Sequence, residues 1–483
     1  MKTLRWLPYL VLGAGVILRL KIFIQNRSLF LDEANLALNL VELDSWALFS
    51  PLRYEQYAPP LYNIWCKAGW TLFGPTEIGL RFPSLVGGIA SLFLLDALGR
   101  HLKFSIGPRS AVLFVLAFSA FGLRYATELK PYGQDMAWAL LLVFGALKTQ
   151  RFSQRVAFLW VLAGALALWT SFPSLFVLAA VGIHFLLRFS EKRARLKLVA
   201  VFWAWMAAFA GLYLTLIANY LTVDPLLDYH QDHFFPLIPN SQAEWEKVGR
   251  LLLVPFRSQF GHTVLALGLA ILLFELGLYR QVKQNYRTAA LLWLPIFFCY
   301  LASGLGKYSL QPRLVIFLLP LVLLFFGLGM EHVLERFKAR RARVFAGLLL
   351  FLPIALVSDG LPFVSRKMEI EEMRPLLKDL NRAWQPGDRI FVDHFALPAY
   401  RFYTRYHRDA GTFRWEEAAW GSWDQDPAEW LETNPNTQKL WVLYGHLISQ
   451  EERERASREI DELPGRATLL IQYPGVSGWQ VEP

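Results

Sequence analysis

Two adjacent carboxylates, Asp32 and Glu33, stand in the stretch Ser28-Leu-Phe-Leu-Asp-Glu-Ala-Asn35, directly after the first apolar run of the chain. Ionised carboxylates are costly in hydrocarbon, so a pair at the edge of a span is a candidate functional site. A carboxylate placed there can take a proton from a hydroxyl, and its neighbour can orient it. The structural alternative is an acidic first helical turn, favoured by the helix dipole. Behind the pair, Leu36, Leu40, Leu43 and Ala47 recur at helical spacing, with Glu42 and Asp44 between them. That pattern predicts a helix lying on the membrane surface and holding the pair against the bilayer.

The elements that must position this pair are membrane spans. The chain has 483 residues, 55% of them hydrophobic, 18 Trp and a mean hydropathy of +0.32. That is the composition of a polytopic membrane protein. Apolar runs sufficient for crossings lie at about 6–24, 79–98, 108–125, 131–147, 156–171, 173–189, 198–220, 262–279, 288–303, 314–330 and 344–358. The net charge of +10 gathers in short connections such as Arg100/Lys103/Arg109, Lys148/Arg151/Arg155 and Arg280/Lys283/Arg287. This distribution reads as topology and not as a nucleic-acid surface. With the basic connections in the cytoplasm, the eleven runs leave the N-terminus inside and the C-terminus outside. Arg19 and Lys21, at the outer end of the first run, go against the rule. Lys2 and Arg5 before an apolar run, with no small-residue cleavage site, read as a retained signal anchor. Pro60 to Phe73 is too short to cross comfortably and is expected as a re-entrant or interfacial helix opened by Pro59-Pro60. Cys66 and Cys299 sit in apolar surroundings and show no CxxC metal spacing.

Three further connections fall on the side of Asp32: Arg124 to Tyr132, Leu221 to Gly261, and Ser303 to Arg313. They can converge with the pair on one outward-facing cavity. After Leu361 the apolar runs shorten, and Arg389 to Val392, Lys439 to Tyr444 and Ala467 to Ile471 read as strands alternating with helices. Residues 1–360 are thus expected as a transmembrane domain with outer loops, and 361–483 as a small extracytoplasmic α/β domain with a parallel sheet. No glycine-rich phosphate fingerprint is present, and no nucleotide is assigned. His394 and His446 follow strands, where such sheets often bind ligands, although a polar loop residue is the plainer reading.

Leu31-Asp-Glu-Ala34, Pro59-Pro-Leu-Tyr62, Phe73-Gly-Pro-Thr-Glu-Ile-Gly-Leu-Arg-Phe-Pro-Ser84, Glu128-Leu-Lys-Pro-Tyr132 and Gln311-Pro-Arg313 together resemble the C-type membrane glycosyltransferases. Within them they are similar to the protein O-mannosyltransferase and lipid A aminoarabinose transferase branch. The resemblance covers most of residues 1–330. It implies a fold of about eleven transmembrane helices and transfer of a sugar from a polyprenyl-phosphate donor to a protein, lipid or glycan acceptor outside the membrane. For that reaction a carboxylate must accept the acceptor's proton and cations must stabilise the departing phosphate. Asp32 is the candidate base, with Glu33 orienting it, and a single base opposite the leaving group implies inversion. Lys130, Lys307, Arg313 and Arg81 are candidates for the phosphate, each weighed against a cation snorkelling at a span end. Tyr57, Tyr62 and Tyr132 are candidates for substrate contact. Glu128 either binds sugar hydroxyls or pairs with Lys130. Ala58 stands where many relatives carry His before the paired prolines. The first outer loop lacks the Asp-x-Asp pair of metal-dependent oligosaccharyltransferases. No cofactor is required, while His230 and His233 with Asp232 keep a divalent metal open. The alternatives are a lipid-linked sugar flippase, which would usually show repeated halves, and a lipid-binding scaffold.

Overall fold

The computed structural model describes residues 3–220, 229–260, 264–336, 359–415, 419–420 and 427–482. The expected span at 344–358 and the acidic Asp224 and Asp228 lie outside the described residues. The chain is largely helical. Its bundle comprises α1 (Leu7–Ile24), α2 (Leu31–Glu42), α3 (Pro60–Phe73), α4 (Glu77–His101), α5 (Ile106–Phe118), α6 (Ala120–Tyr125), α7 (Tyr132–Lys148), α8 (Gln154–Thr170), α9 (Ser174–Arg188) and α10 (Lys192–Leu212). After these come α11 (Gln242–Leu252), α12 (Val254–Phe260), α13 (Val264–Gly304) and α14 (Leu319–Arg336). Among the described residues, five helices are long and apolar enough to cross a membrane: α1, α4, α10 with its π-helical extension to Ile217, α13, and α14 with the turn before it. Shorter apolar helices are α5, α8 and α9.

Two irregularities have local causes. At 41 residues α13 is two helices end to end, broken where Asn285 leaves the helical region at φ −158°, ψ 89°. The Asn285 Oδ1 accepts the Thr288 N–H at 3.2 Å and so starts the second helix. The expected run at 108–125 is likewise broken, at Ser119, whose hydroxyl accepts the Gly122 N–H. The carbonyls freed at the end of α5 meet Arg19, which is fully buried and donates to Leu116 O at 2.8 Å and Ala117 O at 3.1 Å. Lys21 donates to the Phe363 and Val364 carbonyls at 3.0 and 2.6 Å. Both cations that defied the charge rule are therefore helix-end and loop partners, since a buried backbone carbonyl needs a donor.

Beyond residue 359, α15 (Met373–Ala383), α16 (Leu397–Arg401), α17 (Pro427–Thr433) and α18 (Gln450–Asp461) surround a five-stranded sheet. Its strands are β1 (Arg389–Val392), β2 (Ala419–Trp420), β3 (Leu440–Tyr444), β4 (Arg466–Tyr473) and β5 (Val476–Glu482), in the order β2-β1-β3-β5-β4. The sheet is mixed and not parallel as expected. β2, β1 and β3 run parallel, but a tight turn at Gly475 (φ +69°) folds β5 back on β4, and β5 then pairs antiparallel with β3.

The environment of α2 also differs from the expected surface helix. Its Leu36, Ala37, Leu38 and Leu40 are fully buried, so apolar side chains are covered all round the helix. One hydrophobic core joins them to Tyr62 and Cys66 of α3 and to Leu376, Tyr400, Phe402 and Tyr403 from beyond residue 370. The C-terminal segment roofs α2, which is why it does not lie on lipid. Lys67 of α3 closes its far end, donating to the Leu40 and Leu43 carbonyls at 2.8 and 2.6 Å.

Glycines set the crossing of α13 and α14, which places the connection carrying Arg313. A Cβ at Gly277 would strike the Phe325 carbonyl, and one at Gly329 the Leu273 carbonyl. Small residues at such crossings let helix backbones approach closely in a bilayer. Gly329→Ala is expected to cost about 1–3 kcal/mol through overpacking. Thermal unfolding in detergent checks this, and an unchanged midpoint would show that the crossing is not tight.

Candidate active site

The two carboxylates, one residue apart, occupy different worlds. Phe30 is extended (φ −83°, ψ 171°) and α2 begins at Leu31, which turns Glu33 inward. Glu33 is fully buried and paired with Arg81 of α4: Nε to Oε1 at 2.7 Å and Nη2 to Oε2 at 2.6 Å. Its Oε1 also accepts the Leu129 N–H at 2.6 Å. Arg81 donates further to the Arg27 and Ser28 carbonyls at 2.6 and 3.0 Å. Burial alone would raise the Glu33 carboxyl, but the Arg81 guanidinium holds it below the usual glutamate value. The pair thereby ties the start of α2 to α4 and to the connection before α7.

Asp32 points the other way. Its side chain is 30% exposed and meets Arg313, Nη1 to Oδ2 at 2.6 Å; the Arg313 side chain is 27% exposed. Lys130 lies close by, nearly buried, with its Nζ donating to Gln56 Oε1 at 2.8 Å. Burial acts to raise the Asp32 carboxyl, yet Lys130 and Arg313 overcome it and hold it below the ordinary aspartate value. Burial lowers Lys130, and the Asp32 charge only partly restores it. Arg313 is steadied by Gln311 Oε1 at 3.1 Å, and Gln311 Nε2 donates to Tyr229 OH at 2.9 Å. Tyr132 and Tyr125, packed edge to face at 4.8 Å, stand beside Arg313 and Asp32. The result is a half-open carboxylate ringed by a guanidinium, an ammonium and two phenols.

The other sequence candidates fall on both sides of this ring. Glu128 pairs with Arg124 (Nε to Oε2, 2.6 Å) and not with Lys130, because Arg124 sits one helical turn before it. Tyr62 is fully buried, its hydroxyl bonded at 2.9 Å to Ser84, which in turn donates to the Lys130 carbonyl. Tyr62 thus supports the Lys130 backbone from behind. Tyr57 packs against the cluster of Leu212 and Leu216. Lys307 is exposed beyond the end of α13, without an ion pair among the described residues, and is not brought to Asp32. The His230 and His233 rings lie 6.5 Å apart. Burial and the nearby Arg313 push His230 down to about 4, and a guanidinium is a poor neighbour for a metal cation. Cys66 and Cys299 are free and buried.

Sequence reasoning missed the contribution from beyond residue 370. Glu371 accepts the Leu31 N–H at 3.2 Å, and Glu372 accepts the Ser28 hydroxyl at 2.9 Å. Tyr403 OH accepts the Leu29 N–H at 2.7 Å and donates to Glu77 at 2.8 Å, while Arg374 bridges Glu77 and the Asn26 carbonyl. His446 joins Glu371, Nδ1 to Oε1 at 2.8 Å. The one available signal was the acidic pair Glu371-Glu372 before an amphipathic helix, and nothing in it pointed back to residues 28–31.

A helical bundle whose end loops are roofed by a C-terminal mixed sheet is a fold this chain shares with solved structures. In particular, the chain superposes on ArnT from Cupriavidus metallidurans. The apo structure matches at TM-score 0.51 and 12% identity over 99% of this chain and 98% of that one. The undecaprenyl-phosphate-bound structure matches at TM-score 0.50 and 11% identity over 98% and 97%. The archaeal oligosaccharyltransferase AglB from Archaeoglobus fulgidus, in complex with an inhibitory peptide and a dolichol-phosphate, aligns at TM-score 0.49 and 11% identity over 91% of this chain and 69% of AglB. At these identities the likeness to ArnT is one of fold. No protein-family model and no curated protein sequence matches the chain.

Glu33→Gln is expected to destabilise the protein by about 3–5 kcal/mol, because it strands a buried guanidinium. Denaturant unfolding of the purified protein measures this. A normal midpoint would mean that Glu33 is not the tie between α2, α4 and the Leu129 connection.

Proposed function

We propose that this protein is an integral membrane glycosyltransferase that moves a sugar from a polyprenyl-phosphate donor to an acceptor on the outer face, with Asp32 as general base and inversion at the anomeric carbon. The observation that carries the reading is the half-open Asp32 carboxylate, ion-paired to Arg313 at 2.6 Å beside Lys130. It is supported by the fold shared with an ArnT structure bound to undecaprenyl phosphate. A departing lipid phosphate requires fixed cations, and Arg313 and Lys130 both stand beside Asp32. Arg81 becomes a positioning residue, since Glu33 and two backbone carbonyls hold its guanidinium. On this reading Tyr132, and with it Tyr125, is a candidate for contact with the sugar or its phosphate. Lys307, Glu128 and Tyr62 leave the substrate set on this reading, and Tyr57 remains a candidate at its edge.

In the resting state Arg313 neutralises Asp32. Arrival of a phosphate gives Arg313 a second anion to bind, which loosens its hold and makes Asp32 a better proton acceptor. A flippase would need the cations but not a carboxylate within their reach. Asp32→Asn is therefore expected to lower sugar transfer by roughly 10²–10⁴-fold while undecaprenyl phosphate still binds. Near-normal transfer would remove Asp32 from the mechanism. Arg313→Gln and Lys130→Met should each weaken undecaprenyl phosphate binding by roughly 10–100-fold, the worth of one charge-assisted hydrogen bond. Unchanged affinity in both would move the phosphate elsewhere.

The same reading keeps eleven spans, with the N-terminus in the cytoplasm and the domain after residue 360 outside, in a bacterial inner or plasma membrane. Both native cysteines are buried, so single new ones report topology cleanly. A membrane-impermeant maleimide applied to whole cells should label Glu451→Cys and spare Arg151→Cys. The reverse pattern would invert the protein in the membrane and put the site inside.

A further inference from the structure

We infer that His446, held by Glu371, is a positioning residue for Asp32: a cation contributed by the C-terminal segment that keeps Asp32 ionised. The inference rests on reading Asp32 as the base of the transfer site.

The geometry is built and not incidental. His446 follows β3 in the left-handed region at φ +58°, a conformation that costs a residue with a Cβ and persists only where its surroundings enforce it. Its Nδ1 meets Glu371 Oε1 at 2.8 Å, and Glu371 is 2% exposed. The other Glu371 oxygen accepts the N–H of Leu31, the residue before Asp32. One buried carboxylate therefore fixes both the imidazole and the first turn of the helix that carries Asp32. Gly475 closes the arrangement: its φ is +69°, and a Cβ there would strike the Ile370 carbonyl and the Glu371 side chain. Gly475 O also accepts the Leu447 N–H at 3.0 Å, which pins the His446 loop to the β4–β5 turn.

The charges around these groups set the direction of the effect. His446 faces Glu371, Glu452 (Nε2 to Oε1, 3.5 Å) and Asp32. Burial would lower its imidazole, but Glu371 and then Glu452 and Asp32 raise it above the ordinary histidine value. Asp32 in turn faces Lys130, Arg313 and His446, with Glu371 as an opposing anion. A protonated His446 thus favours the ionised form of Asp32, and its removal must let Asp32 take a proton at higher pH.

The test uses the full-length protein in detergent. His446→Asn removes the imidazole while suiting the left-handed backbone, which Asn tolerates better than most residues. Glu371→Gln keeps an acceptor for Leu31 N–H but removes the anion that sustains the imidazolium. Two readouts are taken: the pH profile of sugar transfer from undecaprenyl-phosphate-linked sugars, and the infrared titration of the Asp32 carboxyl, isolated by difference against Asp32→Asn. The acid limb and the carboxyl titration of His446→Asn should both move to higher pH by roughly half to one unit. Glu371→Gln should move them less in the same direction. A purely structural role would lower the rate at every pH without moving either titration, and that result overturns the inference. A carboxyl titration that shifts in His446→Asn while the wild-type protein transfers no sugar would instead overturn the glycosyltransferase reading.

Discussion

The buried pair of Glu33 and Arg81 is the constraint on which the rest of the site depends. A carboxylate and a guanidinium removed from water are costly unless every remaining donor and acceptor finds a partner. Here the partners are backbone groups of two separate segments, the Arg27 and Ser28 carbonyls and the Leu129 N–H, and Arg81 ties both to α4. Their satisfaction fixes where α2 begins and how it is rotated. Asp32 inherits its direction from that rotation, since adjacent residues of a helix point about 100° apart. What the pair contributes is orientation; its net stabilisation is secondary.

The neighbouring carboxylates show how environment divides labour between identical chemistries. Both are held ionised by cations, but Glu33 is closed off by Arg81 and the Leu129 N–H, whereas Asp32 keeps nearly a third of its side-chain surface open. A group with all its partners built in cannot exchange them for a substrate. One with a movable, partly exposed Arg313 can. This difference, more than proximity to the membrane, separates the structural acid from the proposed catalytic one.

Much of this was legible in the residues. Runs of apolar side chains located the helices because burial in lipid or bundle demands them, and Pro59-Pro60 marked the start of α3 to the residue. Asp32, Lys130 and Arg313 were visible as charges at the ends of apolar runs, and the structure brings those three together. Lys307 carried the same signal and stands apart, because position along a connection does not fix which way a long side chain reaches. Arg81 failed differently: its value lies in Glu33, 48 residues away, and in carbonyls that any sequence would supply. The roof over α2 was the least legible feature. Leu36, Leu40 and Leu43 read as one lipid-facing stripe, and Leu38, the residue that betrays burial on the opposite side, looks alone like noise.

The roof also changes what the C-terminal segment is for. Had it been a separate domain, its loss would leave Ser28–Glu33 intact. Instead the N–H groups of Ser28, Leu29 and Leu31 are all received by side chains from beyond residue 370: Glu372, Tyr403 and Glu371. An extended stretch leading into a helix has no internal partners for these donors, and buried donors cannot go without. The membrane helices alone can anchor Glu33, but they leave the backbone before it unsatisfied. The loop that carries Asp32 is thus completed by the C-terminal segment as well as by the helices before it, and the Glu371 that receives the Leu31 N–H also holds His446.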